Sequence, residues 1–210
     1  MRVERYESGI FLSNSYLVFC EETREGMVID PVSAHRVIGR VREENVQIKY
    51  ILNTHTHPDH VSGNAQVRKA TDAAVLAHRK ALVEKERLVM KIGSGMGLFF
   101  RVVSPDILVE DGEEICVGKL TFRILYTPGH TADGICVLGD RCVFTGDTLF
   151  ADSVGRTDFP GASYRLLLKS IGEKLLVLPD ETRVFPGHGE ETTIGREREV
   201  NPFCIEALRG

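Results

Sequence analysis

Along the chain, apolar positions come in short strand-like runs broken by polar turns. Val3 to Tyr6 and Asn14 to Phe19 are such runs, and Gly26 to Ile29 follows the polar turn Glu21 to Glu25, with Asp30-Pro31 closing it. They predict an opening antiparallel sheet. The period then changes. Ser33 can cap a helix reaching Asn45, with Val37, Ile38 and Val41 on one face and Arg36, Arg40, Arg42 and Glu43 toward water; His35 falls on its solvated side. Lys49 to Asn53 reads as a buried strand, because a short apolar run ends in a polar turn. A helix over Asn64 to Thr71 comes next, then a strand over Ala74 to Ala77 ending at His78, which reads as a surface residue, with a place bordering the site as the alternative.

From Arg79 to Met90 apolar residues recur at helical spacing, and the run passes into Gly93-Ser94-Gly95-Met96-Gly97-Leu98-Phe99-Phe100. This stretch lacks the Gly-Lys-Ser/Thr ending that serves nucleotide phosphates. Its glycines and apolar residues predict a cover for a site mouth over 79–101, with an ordinary packed turn as the alternative. Strands return over Glu114 to Val117, Leu120 to Thr127, Gly134 to Leu138 and Arg141 to Thr145, the last two joined by a tight turn at Gly139-Asp140. Ser163 then caps an amphipathic helix to Leu178, ended by Pro179, with Tyr164, Leu167, Leu168, Ile171, Leu175 and Leu178 on one stripe. Sheets flanked by helices in both halves, with no linker between, predict one layered α/β domain over residues 1–210.

Charge narrows the function classes. A net charge of −4, from 26 basic and 30 acidic residues interspersed along the chain, offers no basic stripe for nucleic acid. The five cysteines are scattered, odd in number and without a Cys-x-x-Cys pair, so they predict reduced thiols in the cytoplasm rather than a disulfide framework. No apolar signal region opens the chain and no run of about 18 apolar residues occurs, so a soluble protein without a membrane partner is expected.

The chemistry gathers at His55-Thr56-His57-Pro58-Asp59-His60, where three of the chain's seven histidines and a carboxylate fall directly after an apolar strand. Imidazole nitrogen and carboxylate oxygen are the donors that divalent transition metals take. Further candidates stand on later turns that follow strands, each beside a glycine: His130 in Pro128-Gly129-His130, Asp147 in Gly146-Asp147, and His188 in Pro186-Gly187-His188.

The run His-x-His-x-Asp-His followed by Val61-Ser62-Gly63 is similar to the signature of the metallo-β-lactamase superfamily. That resemblance implies an αββα sandwich and two divalent metal ions, zinc first, with iron or manganese as alternatives. The positions matching His55, His57 and His130 would take the first metal, and those matching Asp59, His60 and His188 the second. Asp147 matches the bridging carboxylate. Two cations about 3.5–4 Å apart need such a shared anion, and a bridging hydroxide available near pH 7 makes hydrolysis the natural reaction. Asp59 is expected to hold the second metal and orient that nucleophile.

Five of the seven histidines are thereby committed to metal, leaving none in the site motifs to protonate a leaving group. A thiolate, with a pKa near about 8.5, leaves without that help, so a small-molecule thioester is the expected substrate. Leu149-Phe150, the run Gly155 to Gly161, the run Gly187 to Gly195, Glu197 and Asn201-Pro202-Phe203 resemble the hydroxyacylglutathione hydrolase (glyoxalase II)-like branch. That enzyme carries a further helical domain that helps hold glutathione, whereas 210 − 188 = 22 residues follow His188, so weak glutathione binding is expected. Arg156 either faces an anionic group of the substrate or pairs within its own turn with Asp158. The rival from the resemblance is a persulfide dioxygenase holding one iron at positions matching His55, His130 and Asp147, a donor set that suits non-haem iron.

Overall fold

The computed structural model describes residues 1–83 and 103–209. One six-stranded sheet keeps sequence order: β1 (Arg2–Ser8), β2 (Ser13–Phe19), β3 (Glu25–Ile29), β4 (Gln47–Leu52), β5 (Ala74–His78) and β6 (Ile107–Val109). β1, β2 and β3 pair antiparallel, as expected, and β3 to β6 then run parallel. Parallel neighbours need a crossover, and helices supply it: α1 (Ala34–Glu43) between β3 and β4, then α2 (Pro58–Val61) and α3 (Asn64–Thr71) between β4 and β5.

The second six-stranded sheet comprises β7 (Glu114–Val117), β8 (Leu120–Tyr126), β9 (Ile135–Gly139) and β10 (Cys142–Gly146), joined by β13 (Arg183–Pro186) and β14 (Thr192–Thr193). Only the pairing of β10 with β13 is parallel, and its crossover carries the hairpin β11 (Leu149–Phe150)–β12 (Ser153–Val154) and helix α4 (Tyr164–Ser170). Helices α5 (Ile194–Val200) and α6 (Pro202–Ala207) follow.

Strand periodicity builds the layers. On β2, Tyr16 and Val18 face the other sheet, while Leu17 and Phe19 face α1 and α3. On β10, Phe144 lies between the sheets and Val143 under α4 to α6. Every residue of β2 and β10 is therefore buried, as expected for strands covered on both faces. The result is the αββα sandwich, with three apolar layers between four of structure. Fully burying each large apolar side chain such as Phe144 or Phe185 contributes about 1.5–3 kcal/mol.

Several local expectations need correction. Ser33 precedes α1 but makes no capping hydrogen bond with its side chain. The β9–β10 turn sits one residue later than expected, at Asp140-Arg141, because Gly139 pairs with Cys142 and Arg141 takes the left-handed φ of 54°. The helix after Ser163 is α-helical only to Ser170 and continues as a π-helical turn over Ile171–Leu175; Ser163 does cap it, accepting from the Leu166 N–H. His78 is buried, its ring stacked on Tyr126 at 4.3 Å, rather than lying on the surface. The expected cover over 79–101 lies, from residue 84 on, outside the described residues. All five cysteines are unpaired thiols, and no helix among the described residues is long and apolar enough to cross a membrane.

Candidate metal centre

Four of the candidate ligands follow the C-terminal ends of strands, and the other three stand at or in helix α2. β4 ends at Leu52 and delivers His55; β8 ends at Tyr126 and delivers His130; β10 ends at Gly146 beside Asp147; β13 ends at Pro186 before His188. His57 is the extended N-cap of α2, with Pro58 at the first helical position, where its missing N–H costs nothing. That short helix brings Asp59 and His60 together with His188. The two sheets are stitched together at this edge, where the Ile135 N–H donates to the Thr54 carbonyl (2.9 Å) and the Asn14 N–H donates to Gly187 (2.7 Å).

Among the described residues, three groups have donor atoms within 4.8 Å of one another: His55, His57, His130 and Asp147; Asp59, His60 and His188; and Asp30, His55 and His60, of which the first two hold the expected ligands. All seven expected ligands are thus brought together. Asp147 stands between the groups. Its Oδ2 lies 3.4 Å from His130 Nε2 and 3.5 Å from His188 Nε2, and its Oδ1 lies 3.3 Å from His60 Nε2. His57 Nδ1 and His130 Nε2 point at one another at 3.0 Å, and His60 Nε2 and His188 Nε2 at 3.3 Å. Asp59 Oδ2 lies 3.5 Å from His188 Nε2 and accepts from the Ser13 hydroxyl at 3.1 Å.

The outward-facing atoms are tied down, which fixes the rings. His130 Nδ1 bonds the Arg156 carbonyl (2.7 Å) and His188 Nδ1 the Phe11 carbonyl (3.0 Å). His60 Nδ1 bonds Asp30 Oδ2 (3.0 Å), and Asp30 also accepts from the Thr54 hydroxyl (2.5 Å) and main-chain N–H (2.8 Å). Among the ligands, two buried atoms, His55 Nε2 and Asp147 Oδ1, find no hydrogen-bond partner. Buried polar atoms left so are unfavourable, and both aim into the ligand groups, as metal donors would. Glycine beside the ligands is a steric requirement: a Cβ on Gly187 would sit 2.3 Å from Asp147 Oδ1, and one on Gly155 1.9 Å from the Asp147 carbonyl.

Electrostatics separates the two groups. Burial holds His55 well below the ordinary imidazole range, with His60 and His57 adding to the depression. Burial and then His130 push His57 down to about 4, and burial also lowers His130. These rings are neutral at pH 7, with lone pairs free to ligate. In the other group burial is overcome: Asp147 and Asp30 raise His60 well above its usual value, and a hydrogen bond to Asp147 raises His188. Asp147, although buried, is held well below the carboxylate range by His60 and His188.

Above the ligands opens a cleft of about 430 Å³ lined by Phe11, Phe150 and Phe159 together with His57, Asp147 and Arg156. The Arg156 guanidinium lies over Phe159 at 4.8 Å and pairs with Asp158 at 2.7 Å, the pairing within its turn that is one of the two expectations for it, and it borders the cleft. Asp30, Ser13 and Thr54 are the residues that sequence reasoning missed. Asp30 carried a signal, as a carboxylate next to Pro31 at a strand end, but nothing local reveals its partner 30 residues on. Asn14 and Tyr16 pin the Pro186 turn, the Asn14 amide and the Tyr16 hydroxyl both donating to the Pro186 carbonyl (3.0 and 2.7 Å).

A family model described as the metallo-beta-lactamase superfamily matches residues 8–188. A Haemophilus influenzae protein named hydroxyacylglutathione hydrolase GloC is 33% identical over 212 residues, covering 97% of this chain and 98% of that protein. The crystal structure of TTHA1623 in a di-iron-bound form has a TM-score of 0.84 at 35% identity, covering 96% of this chain and 100% of that one. That of ETHE1 from Myxococcus xanthus has a TM-score of 0.83 at 31% identity, covering 99% and 88%. Signature, sandwich and family match agree, and the chain belongs to the metallo-beta-lactamase superfamily.

Proposed function

We propose that this chain hydrolyses a small-molecule thioester of the hydroxyacylglutathione kind. Two divalent cations would be held by His55, His57 and His130 on one side and by Asp59, His60 and His188 on the other. The observation that carries this is Asp147, whose Oδ2 is within 3.5 Å of a ligand nitrogen from each group. When bound, paired cations lower the pKa of a water to about 7 and polarise a carbonyl oxygen, the two elements hydrolysis needs. Zinc suits these imidazole and carboxylate donors, and iron or manganese are the alternatives.

The chain's own residues supply the rest. Ser13 holds the Asp59 carboxylate toward the centre, so Asp59 is assigned to orienting the nucleophile. Phe11, Phe150 and Phe159 wall the cleft with apolar surface for the substrate. Arg156 can take an anionic group of the substrate in exchange for Asp158. The two histidines outside the centre serve elsewhere: His35 is exposed on α1 and His78 is stacked on Tyr126. No imidazole is left to protonate a leaving group, which favours a thiolate. The Haemophilus influenzae relative adds a glutathione thioester as the first candidate, since its name goes with a length that this chain matches to 98%. Persulfide oxygenation is the alternative, favoured by the likeness to ETHE1.

Steady-state assays with S-lactoylglutathione, its oxygen ester, its amide and a β-lactam test the proposal. Thioester turnover is expected to exceed the others by about 10²-fold or more, the contribution a missing general acid makes. Oxygen uptake with glutathione persulfide, without thioester turnover, would move the function to the dioxygenase.

A further inference from the structure

Glu197 and Asn201 belong to the C-terminal run that resembles the hydroxyacylglutathione hydrolase branch, yet the chemistry above uses neither. Both are fully buried. A buried carboxylate is unfavourable unless every lone pair finds a donor, and Glu197 meets that condition. Its Oε2 accepts from the Asp152 main-chain N–H (2.8 Å) and the Asn201 amide (2.9 Å). Its Oε1 accepts from the Thr192 hydroxyl (2.6 Å) and the Arg196 guanidinium (2.6 Å). Arg196 reaches on to the Asp152 carboxylate (2.9 Å), and the Asn201 amide donates to the carbonyls of Ser153 (3.1 Å) and Phe150 (3.4 Å). Helix α5 and the start of α6 therefore converge on the tip of the β11–β12 hairpin, where Asp152 holds a left-handed φ of 59°.

That hairpin is one wall of the cleft. It begins at Leu149, just after Asp147, and carries Phe150 into the cleft and edge-on to His188 at 5.8 Å. It leaves through Gly155 to Arg156, whose carbonyl accepts from His130. With two residues in each strand it cannot hold its own shape, because isolated two-stranded hairpins are marginal even when longer. Asp147 and His130, by contrast, are anchored by β10 and β8 inside the second sheet.

We propose that Glu197, acting with Asn201, is a positioning residue that holds the β11–β12 hairpin in place as the substrate-side wall of the cleft. This rests on the thioesterase assignment above. Glu197 and Asn201 touch no ligand, and His130, Asp147 and His188 follow β8, β10 and β13 of the second sheet, so the clamp acts on substrate binding more than on metal retention.

The test compares Glu197→Ala, Glu197→Gln and Asn201→Ser with the wild-type holoenzyme. Readouts are S-lactoylglutathione kinetics, metal content and hydrogen exchange of the 149–156 amides. The glutamine carbonyl can still accept from Asp152 and Asn201 while its amide donates to Thr192, and Arg196, which loses this acceptor, keeps the Asp152 carboxylate, so Glu197→Gln is the conservative variant that retains the hairpin contacts. Serine at 201 keeps an oxygen for the Phe203 N–H and loses the donors that reach the hairpin, and it stands as the test if Glu197→Ala does not fold. Glu197→Ala and Asn201→Ser should raise KM about tenfold with kcat within about threefold and metal content unchanged, and Glu197→Gln should stay within about threefold of wild type. The 149–156 amides should exchange faster while those of β10 do not. Unchanged KM and exchange would overturn the proposal, as would a joint fall of kcat, metal content and melting temperature, which marks a merely structural role. If the wild-type protein turns over no thioester, the proposed function fails, and exchange at 149–156 alone decides the clamp.

Discussion

The floor of the cleft and its rim are built on opposite principles. The floor is His55, His60, His130 and Asp147, buried or nearly buried side chains on α2 and on the turns that follow β4, β8 and β10. The rim is Phe11, Phe159 and Arg156, which are 63%, 38% and 70% exposed and sit on loops. Floor residues owe their positions to two sheets packed over a shared apolar layer, so they cannot shift without moving the core. Rim residues owe theirs to a few local contacts. Reactivity is therefore fixed by the fold, while the choice of substrate rests with the loops.

The contrast breaks most sharply at Asp147. Asp147→Ala removes the one carboxylate both ligand groups reach, so metal loading and activity should be lost together, by about 10³-fold or more in kcat/KM. Inductively coupled plasma analysis beside the thioester assay checks it; double occupancy retained in the variant would show that the groups are independent. Next comes Gly187→Ala, where the added Cβ would meet Asp147 Oδ1 at 2.3 Å and His60 Cε1 at 2.8 Å. A single methyl at the floor should weaken metal binding by about 10–100-fold, measured by chelator competition. Normal affinity would mean that the floor gives as easily as the rim.

A subtler change acts one layer out. Asp30→Asn keeps the shape but weakens the acceptor for the His60 ring and the Thr54 hydroxyl, and should lower metal affinity by about tenfold with thioester KM unchanged. The smallest effect belongs to the rim. Phe11→Ala should raise KM about two- to fivefold, leaving metal content and kcat near wild type, because its carbonyl to His188 is main chain and survives the substitution. A loss of metal in that variant would erase the distinction between floor and rim.

The same contrast explains what the sequence revealed. Metal donors are scarce residue types, and their clustering at His55 to His60, with His130, Asp147 and His188 each beside a glycine, is visible without a structure. The strands that deliver them were legible too, since Tyr50-Ile51-Leu52 ends β4 and Cys142-Val143-Phe144 runs through β10 as short apolar runs, the second buried throughout. Residues that act through distant partners were not. Asp30 meets His60 across 30 positions, Ser13 meets Asp59 across 46, and Glu197 meets Asp152 across 45, and no local period records such meetings. The short strands β11, β12 and β14, of two residues each, carry no period at all. His78 was misread because a lone histidine after a strand gives no hint of Tyr126 stacked against it.

The most direct test of the floor as a binuclear centre is native mass spectrometry of the wild-type protein, with activity followed as metal is added back after chelation. Two metals per chain are expected, with thioester turnover rising to its maximum only as the second site fills. Full activity at one metal per chain would contradict the shared Asp147 centre and leave Asp59, His60 and His188 without the role assigned to them.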